Sequence, residues 1–263
     1  MDEKTIISAD GLVVKEFPLN EADKLVTVLT GEYGKISVLA RGVKNITSKR
    51  ASGLSLLNYS TFEFEQKGEK LIYKDSRIKT HFDNIQNDMA SFSLAAYICE
   101  VASECTFENN DESELLRLCL NTLYAVDKSL KNVSFIKAVF EMKAACVLGF
   151  APETSHCIIS GEKLPEKAAR VFFSISEGGF ISEESFMKLV QAQQTPPDCK
   201  PVSLTTLAAI RHVAASDQRR MLSFDIDDSS AIEFCDVCES YFLCKSEKKY
   251  RSLAYYKKLG NQN

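Results

Sequence analysis

The hydrophobic period of this chain changes once along its length, and that change sets the fold class. Over roughly the first 80 residues, apolar side chains recur at every second position, the period of a half-buried strand. From about Asn84 onward they recur at helical spacing. The expectation is an α+β protein whose β part comes first. Segments 5–7 and 12–17 flank Gly11, and 25–30 and 35–41 are separated by "GEYG". Segments 59–66 and 71–79 are separated by "KGEK". Glycine-bounded turns between alternating segments are hairpin signals. Five short strands in so short a stretch predict a small barrel of the OB type.

Within "KISVLAR" the alternation puts Ile36, Val38 and Ala40 on one face and Lys35, Ser37, Leu39 and Arg41 on the other. Lys35 and Arg41 therefore point outward if the aliphatic set fills the barrel. In "STFEFEQ", Phe62 and Phe64 alternate with Glu63 and Glu65, which places the phenylalanines in the core.

Three amphipathic helices are expected next. One carries Phe92, Ala95, Ala96, Cys99 and Ala102; the second carries Leu115, Leu116, Cys119, Leu123 and Val126, with Asp or Ser as its N-cap. The third ends near Gly149, a plausible C-terminal stop. Residues 151–200 hold Pro152, Pro165, Pro196, Pro197, Gly161, Gly178 and Gly179, and read as a loop-rich insert with short strands such as "ARVFFSIS". Ser203 opens a further helix, and a last helical stretch runs from Ser229 to about Leu259. The expected divisions are 1–81 (barrel), 82–150 (first helical part), 151–200 (insert) and 201–263 (second helical part).

Composition narrows the function. The chain has 45% hydrophobic and 26% charged residues, as a globular protein does. It lacks an apolar run near the roughly 20 residues of a membrane span. "MDEKTIISAD" is not a signal peptide, so the expected compartment is the cytoplasm. Nine cysteines, an odd number, then read mostly as buried thiols and not as a disulfide framework. "CDVCESYFLC" spaces Cys235 and Cys238 like a ligand pair, but in a helix that spacing only puts them on one face. There is no Gly-Lys-Thr/Ser phosphate loop, HExxH or GxSxG sequence, and His81, His156 and His212 are scattered. The chain reads as a binder, not an enzyme.

The net charge is −4, yet residues 35–50 carry Lys35, Arg41, Lys44, Lys49 and Arg50 with no Asp or Glu. Residues 1–81 hold 13 Lys/Arg against 11 Asp/Glu, whereas 82–263 hold 19 against 25. An isolated basic run is commonly a solvated loop. On a barrel of this type it also suits phosphates, with Lys74, Arg77 and Lys79 extending the path and Tyr33, Tyr59 and Tyr73 as stacking candidates.

The stretch "GLVVKEFPLNEADKLVTVLTGEYGKISVLARGVKNITSKRASGLSLLNYSTFEFEQKGE" resembles the N-terminal domain of the RecO family of bacterial DNA repair proteins. The family pattern has Glu-Ala-Asp before a strand, a T-x-x-x-G-K hairpin, then Ala-(Lys/Arg)-Gly and a basic loop. The corresponding residues are Glu21-Ala22-Asp23, Thr30 to Lys35, Ala40-Arg41-Gly42, and Lys44 to Arg50. "ACVLGFAPETSHC" is similar to the segment leading into the family's zinc-binding insert, and "KYRSLAYYKKL" to its closing helix. The resemblance implies DNA repair by binding single- and double-stranded DNA, annealing complementary strands and, with RecR, helping to load RecA. It also implies nucleoid association and an apolar, basic-rimmed pocket for the tail of single-stranded DNA-binding protein. Arg117, Lys128, Lys131 and Lys137 are candidate rim charges. The alternative is an adaptor whose barrel docks an acidic protein and no nucleic acid.

Many members of the family hold zinc with two Cys-x-x-Cys pairs. Here the matching positions are Cys157, Ser160, Ser182 and Ser185. One cysteine and three serines do not make a structural zinc site. The expectation is an insert that keeps its fold without zinc or any other cofactor.

Overall fold

The segments on either side of Gly11 form a single strand. In the computed structural model, which describes residues 5–44, 52–167, 170–194 and 198–260, β1 (Thr5–Pro18) pairs with two different neighbours. Thr5 to Leu12 face β4 (Tyr59–Lys67), and Gly11 to Pro18 face β2 (Lys24–Thr30), both antiparallel. Gly11 takes part in both ladders. A Cβ there would lie 2.4 Å from Val28 Cγ1 and 3.0 Å from the Leu29 carbonyl oxygen, so the crossing needs glycine. The remaining strands are β3 (Lys35–Ala40) and β5 (Lys70–Thr80). β3 pairs in parallel with the start of β5 through Val38–Leu71 and Leu39–Ile72. The order β1-β2-β3-β5-β4 closes the barrel.

The alternation reading holds inside it. Val26, Val28, Ile36, Val38, Ala40, Phe62 and Phe64 are buried in the barrel core. A bulge at Val14 shifts the β1 register; Val13 joins the barrel core, while Leu12, in the row with Leu29 and Lys35, and Val14 are also buried.

Chain contacts group into two compact units. The first, Met1–Ser129 with Tyr250–Asn263, contains the barrel, α1 (Met89–Cys105), α2 (Ser113–Asp127) and α7 (Arg251–Gly260). This grouping cuts across the divisions at 82–150 and 201–263, and the bonding within the unit explains why. The "GEYG" turn is fastened to the α1–α2 loop: Lys35 N–H donates to Phe107 O, Asn109 N–H to Tyr33 O, and Glu112 N–H to Gly31 O, at 2.8–3.0 Å. Glu247 adopts a left-handed conformation (φ 53°) and breaks the last helical stretch in two. Tyr250, beyond the break, packs edge-on against Tyr97 of α1. Glu100 then accepts the N–H groups of Arg251 and Ser252, capping α7.

α1 differs from its expected pattern in one respect: Phe92 is exposed, and Leu94, Tyr97 and Ile98 are buried. At α2 the Asp111 carboxylate accepts the Ser113 N–H, and the N-cap position is held by Glu112 without a side-chain bond.

The second unit, Leu130–Lys249, holds α3 (Val133–Val147), the insert, α4 (Glu183–Gln191), α5 (Leu204–Ala215) and α6 (Asp228–Ser246). Three short strands, β6 (Val171–Ser174), β7 (Gly179–Ser182) and β8 (Cys199–Val202), form a sheet in the order β7-β6-β8. α3 packs on α5 and α6, and Phe135, Phe224 and Phe234 meet in one aromatic cluster. Ser203 caps α5 as expected, accepting the Thr206 N–H. Among the described residues, no helix is long and apolar enough to cross a membrane.

The hairpin weld gives a direct test. Gly34 has φ +63°, and a Cβ there would lie 2.1 Å from Phe107 O. Gly34→Ala is expected to lower unfolding stability by about 2 kcal/mol or more, from the left-handed backbone cost and the backbone clash. An unchanged midpoint in denaturant would contradict the weld.

Candidate nucleic-acid interface

Three antiparallel strands set the outward face that carries Arg41. Their registers place Lys15 opposite Thr27 and Thr27 opposite Ser37. The next outward row is Phe17, Leu25 and Leu39. Phe17 is 58% exposed and Leu25 37%. Arg41 follows Leu39 on the same side and is exposed, as is Lys15. The face therefore combines two cations with an apolar strip that includes a solvent-facing aromatic ring.

The turn after β3 is held by the loop before β2. Asp23 Oδ1 accepts the Gly42 N–H at 2.8 Å, and its Oδ2 accepts Asn20 Nδ2 at 3.0 Å. These bonds, that from Asn20 first, hold the Asp23 carboxyl below its usual range. Gly42 has φ +67°, a conformation that glycine adopts without strain. Lys44 is tied to the same loop: its N–H donates to Ala22 O at 3.1 Å and its Nζ to Asn20 O at 2.7 Å. The two short motifs Glu21-Ala22-Asp23 and Ala40-Arg41-Gly42 thus form one hydrogen-bonded corner with Arg41 at its surface.

The other candidate cations divide. Lys35 Nζ donates to Ser103 O at 2.7 Å, in the last turn of α1. That is a helix C-terminal cap, and it commits the side chain to the fold. Lys74 pairs with the buried Glu65, which also faces Lys67. Arg77 is exposed on β5 opposite Thr61, which lies opposite Asp10 on β1. Lys79 pairs with Asp10 at 2.5 Å and lies over the Tyr59 ring. Arg77 and Lys79 belong to the β1–β4–β5 ladder, separate from the β2–β3 ladder that ends at Arg41. Lys49 and Arg50 lie outside the described residues. Of the tyrosines, Tyr73 is buried and shares a hydrogen bond with Ser76, which leaves no ring face for stacking. Phe17 and Lys15 were absent from the sequence candidates. Their shared strand face was readable from the alternation, but a strand phenylalanine ordinarily signals core.

The candidate rim charges fare differently from one another. Arg117 pairs with Glu114, Lys128 with Asp127 at 2.9 Å, and Lys131 with Asp225, all with at least one partly exposed partner. Arg117 also borders a cavity of about 300 Å³ lined by Tyr59, Leu116, Leu120 and Asn121. Lys137 is corrected: it is 5% exposed and bonds Glu141 at 2.9 Å and Glu239 at 2.8 Å. It is a buried structural cation, not a rim charge. Burial would lower its pKa, but the two carboxylates outweigh that and raise it to about 12.

In the insert the four zinc-pattern positions meet. Cys157 is buried, and its Sγ accepts the Ser182 N–H at 3.4 Å. Ser182 and Ser185 share a hydroxyl–hydroxyl bond of 3.1 Å. Burial pushes the Cys157 thiol up; hydrogen bonds from the Ser185 hydroxyl, the Ser160 and Ser182 N–H groups and the Ser160 hydroxyl outweigh it and hold its pKa down to about 6. One thiol and three neutral hydroxyls do not fit a structural zinc ion. His156 points elsewhere, exposed beside Glu153.

Lys137→Met would remove the cation that bonds both Glu141 and Glu239 in the second unit. It is expected to cost about 3 kcal/mol in denaturant unfolding. Because the folded-state pKa is raised, the stabilisation from Lys137 is complete below its unfolded pKa and is lost as pH rises through about 12. A variant as stable as the parent would show that the triad is not a structural element.

Comparison with known proteins shows the family of the chain. The family description "Recombination protein O N terminal" matches residues 1–80, and "Recombination protein O C terminal" matches residues 86–254. A protein of Acetivibrio thermocellus named DNA repair protein RecO is 27% identical over 253 residues, spanning 96% of this chain and 97% of its own. One of the same name from Bacillus pumilus is 26% identical over 265 residues, spanning 98% and 99%. Another from Listeria monocytogenes serotype 4a is 32% identical over 181 residues, spanning 68% of each. Matched through both of its halves and in order, the chain belongs to the RecO family of DNA repair proteins.

Proposed function

We propose that the protein is a recombination mediator whose barrel binds single- and double-stranded DNA through the outward β1–β2–β3 face. The observation that carries this reading is the join of Arg41, on its braced turn, to the exposed strip of Phe17, Leu25 and Leu39 with Lys15 beside it. Cations bind phosphates without regard to sequence, and an aromatic ring stacks any base. Lys44 continues the path, the basic run of the sequence extends to Lys49 and Arg50 outside the described residues, and Lys74, Arg77 and Lys79 contribute from β5. Lys35 acts through the fold.

Masking phosphate repulsion on two strands lowers the cost of bringing complementary bases together, so annealing follows from binding alone and base pairing supplies the specificity. The protein acts as a binder without a catalytic step and without zinc, in the bacterial cytoplasm at the nucleoid. RecR and single-stranded DNA-binding protein are its partners, and RecA loading is the outcome. The cavity beside Arg117 suits the acidic, phenylalanine-ended tail of the latter, because it sets an apolar wall beside a guanidinium.

An adaptor that docks an acidic protein is the second reading, and the apolar strip favours it. Fluorescence anisotropy with labelled oligonucleotides at two salt concentrations separates the two. Arg41→Glu is expected to weaken binding and to reduce the slope of log K against log salt by about 0.7 on single strands. Phe17→Ala is expected to cost about 1–3 kcal/mol on single strands and little on duplex. Unchanged affinity in both folded variants would sink the DNA assignment.

A further inference from the structure

We infer that the gap in the barrel wall beside the start of β3 is a docking pocket for a basic, extended segment of a partner protein, with an arginine as its anchor. β3 pairs with β5 only through Val38–Leu71 and Leu39–Ile72, so residues 35–37 have no β5 partner. A cavity of about 630 Å³ opens there. That volume falls within the roughly 300–1,000 Å³ of ligand sites.

The floor of the cavity is apolar and the rim is acidic. Ile36 and Phe64, both of the barrel core, line it, and so does Leu71. Glu69 from the β4–β5 turn and Glu108 from the α1–α2 loop also line it, and both are exposed. Among the described residues, neither carboxylate has a hydrogen bond or ion pair, and no lysine or arginine lines the cavity. Lys35 and Lys67, on the bordering strands, are engaged elsewhere, with Ser103 O and Glu65.

The weld of the "GEYG" turn builds this pocket in advance. Gly34 and Glu108 form an antiparallel bridge. The Asn109 N–H donates to Tyr33 O. The Tyr33 N–H donates to Thr30 Oγ1 at 3.2 Å, and that hydroxyl donates to Gly34 O at 2.9 Å. Tyr33 and Glu108 are thus held by backbone bonds at the edge of the cavity, and little ordering is left for a ligand to bring about.

Chemistry selects the occupant. Two uncompensated carboxylates repel phosphate, so the cavity does not extend the DNA path. An arginine satisfies both parts: its aliphatic stem covers the apolar floor, and its guanidinium meets the carboxylates at the rim. Tyr33 lines the same cavity, and an aromatic ring attracts that cation. Gln66 and Asn109 supply side-chain amides for the main chain on either side of the arginine.

This reading does not depend on the DNA assignment, and the experiment keeps the two apart. The probe is the peptide acetyl-Ala-Leu-Arg-Leu-Ala-amide, titrated into the full chain and followed by ¹H–¹⁵N NMR. Saturable shifts are expected in residues 33–36, 64–71 and 107–109, with a Kd of about 1 mM or tighter. The matched peptide with glutamate in place of arginine is expected to give none. Glu69→Gln/Glu108→Gln is expected to weaken peptide binding by about tenfold and to leave oligonucleotide affinity unchanged. Absence of saturable shifts in these segments at about 5 mM peptide would overturn the pocket. So would equal binding of the glutamate peptide, or a folded double variant that binds the arginine peptide as the parent does. Loss of oligonucleotide affinity in the double variant would also overturn it, by placing the carboxylates in the DNA site. Should the double variant fail to fold, the parent's discrimination between the two peptides decides the matter.

Discussion

Barrel closure depends on one strand serving two ladders. β1 carries β4 on its first half and β2 on its second, and Gly11 is where it passes from one to the other. Any side chain there would strike Val28 and the Leu29 carbonyl. Once β1 is placed, its bulge at Val14 decides which of its residues face out. Lys15 and Phe17 then join the rows begun by Ser37 and Leu39 on β3. The binding face proposed for this protein is therefore a consequence of register: a one-residue slip would bury the cation and the ring.

The distribution of cations explains how an acidic chain can offer a basic face. Several lysines are committed internally. Lys35 caps α1, and Lys143 caps α5 by donating to Val213, Ala214 and Ser216 carbonyls at 2.6–3.1 Å. Lys137 is locked between two carboxylates. These cannot be redirected without a penalty of a few kcal/mol. Exposed pairs such as Lys79–Asp10 are worth about 0–1 kcal/mol, so a phosphate can replace the carboxylate at little loss. Formal charge along the sequence does not distinguish these two kinds of lysine; burial does.

Local periodicity made the barrel legible. Ile36, Val38, Ala40, Phe62 and Phe64 are buried as the alternation required, and the "GEYG" turn and the Ser203 cap are where their residue types put them. The features that were not legible are long-range. Lys35 reads as an outward cation on its strand, but its partner is Ser103, 68 positions away. Lys137 sits at a helical position that could face solvent, and Glu239, 102 positions on, makes it part of a core. The break at Glu247 leaves no glycine or proline signal, because a glutamate takes up the left-handed conformation. At the candidate site, Arg41 was visible as charge without counter-charge. Phe17 was not, since only the register of three strands shows that its ring faces water.

Hydrogen–deuterium exchange with and without a saturating single-stranded oligonucleotide tests the central claim most directly. The account predicts slowed exchange concentrated in residues 15–25 and 37–44, with the second unit unchanged. Protection confined to the second unit, with these segments unaffected, would contradict it.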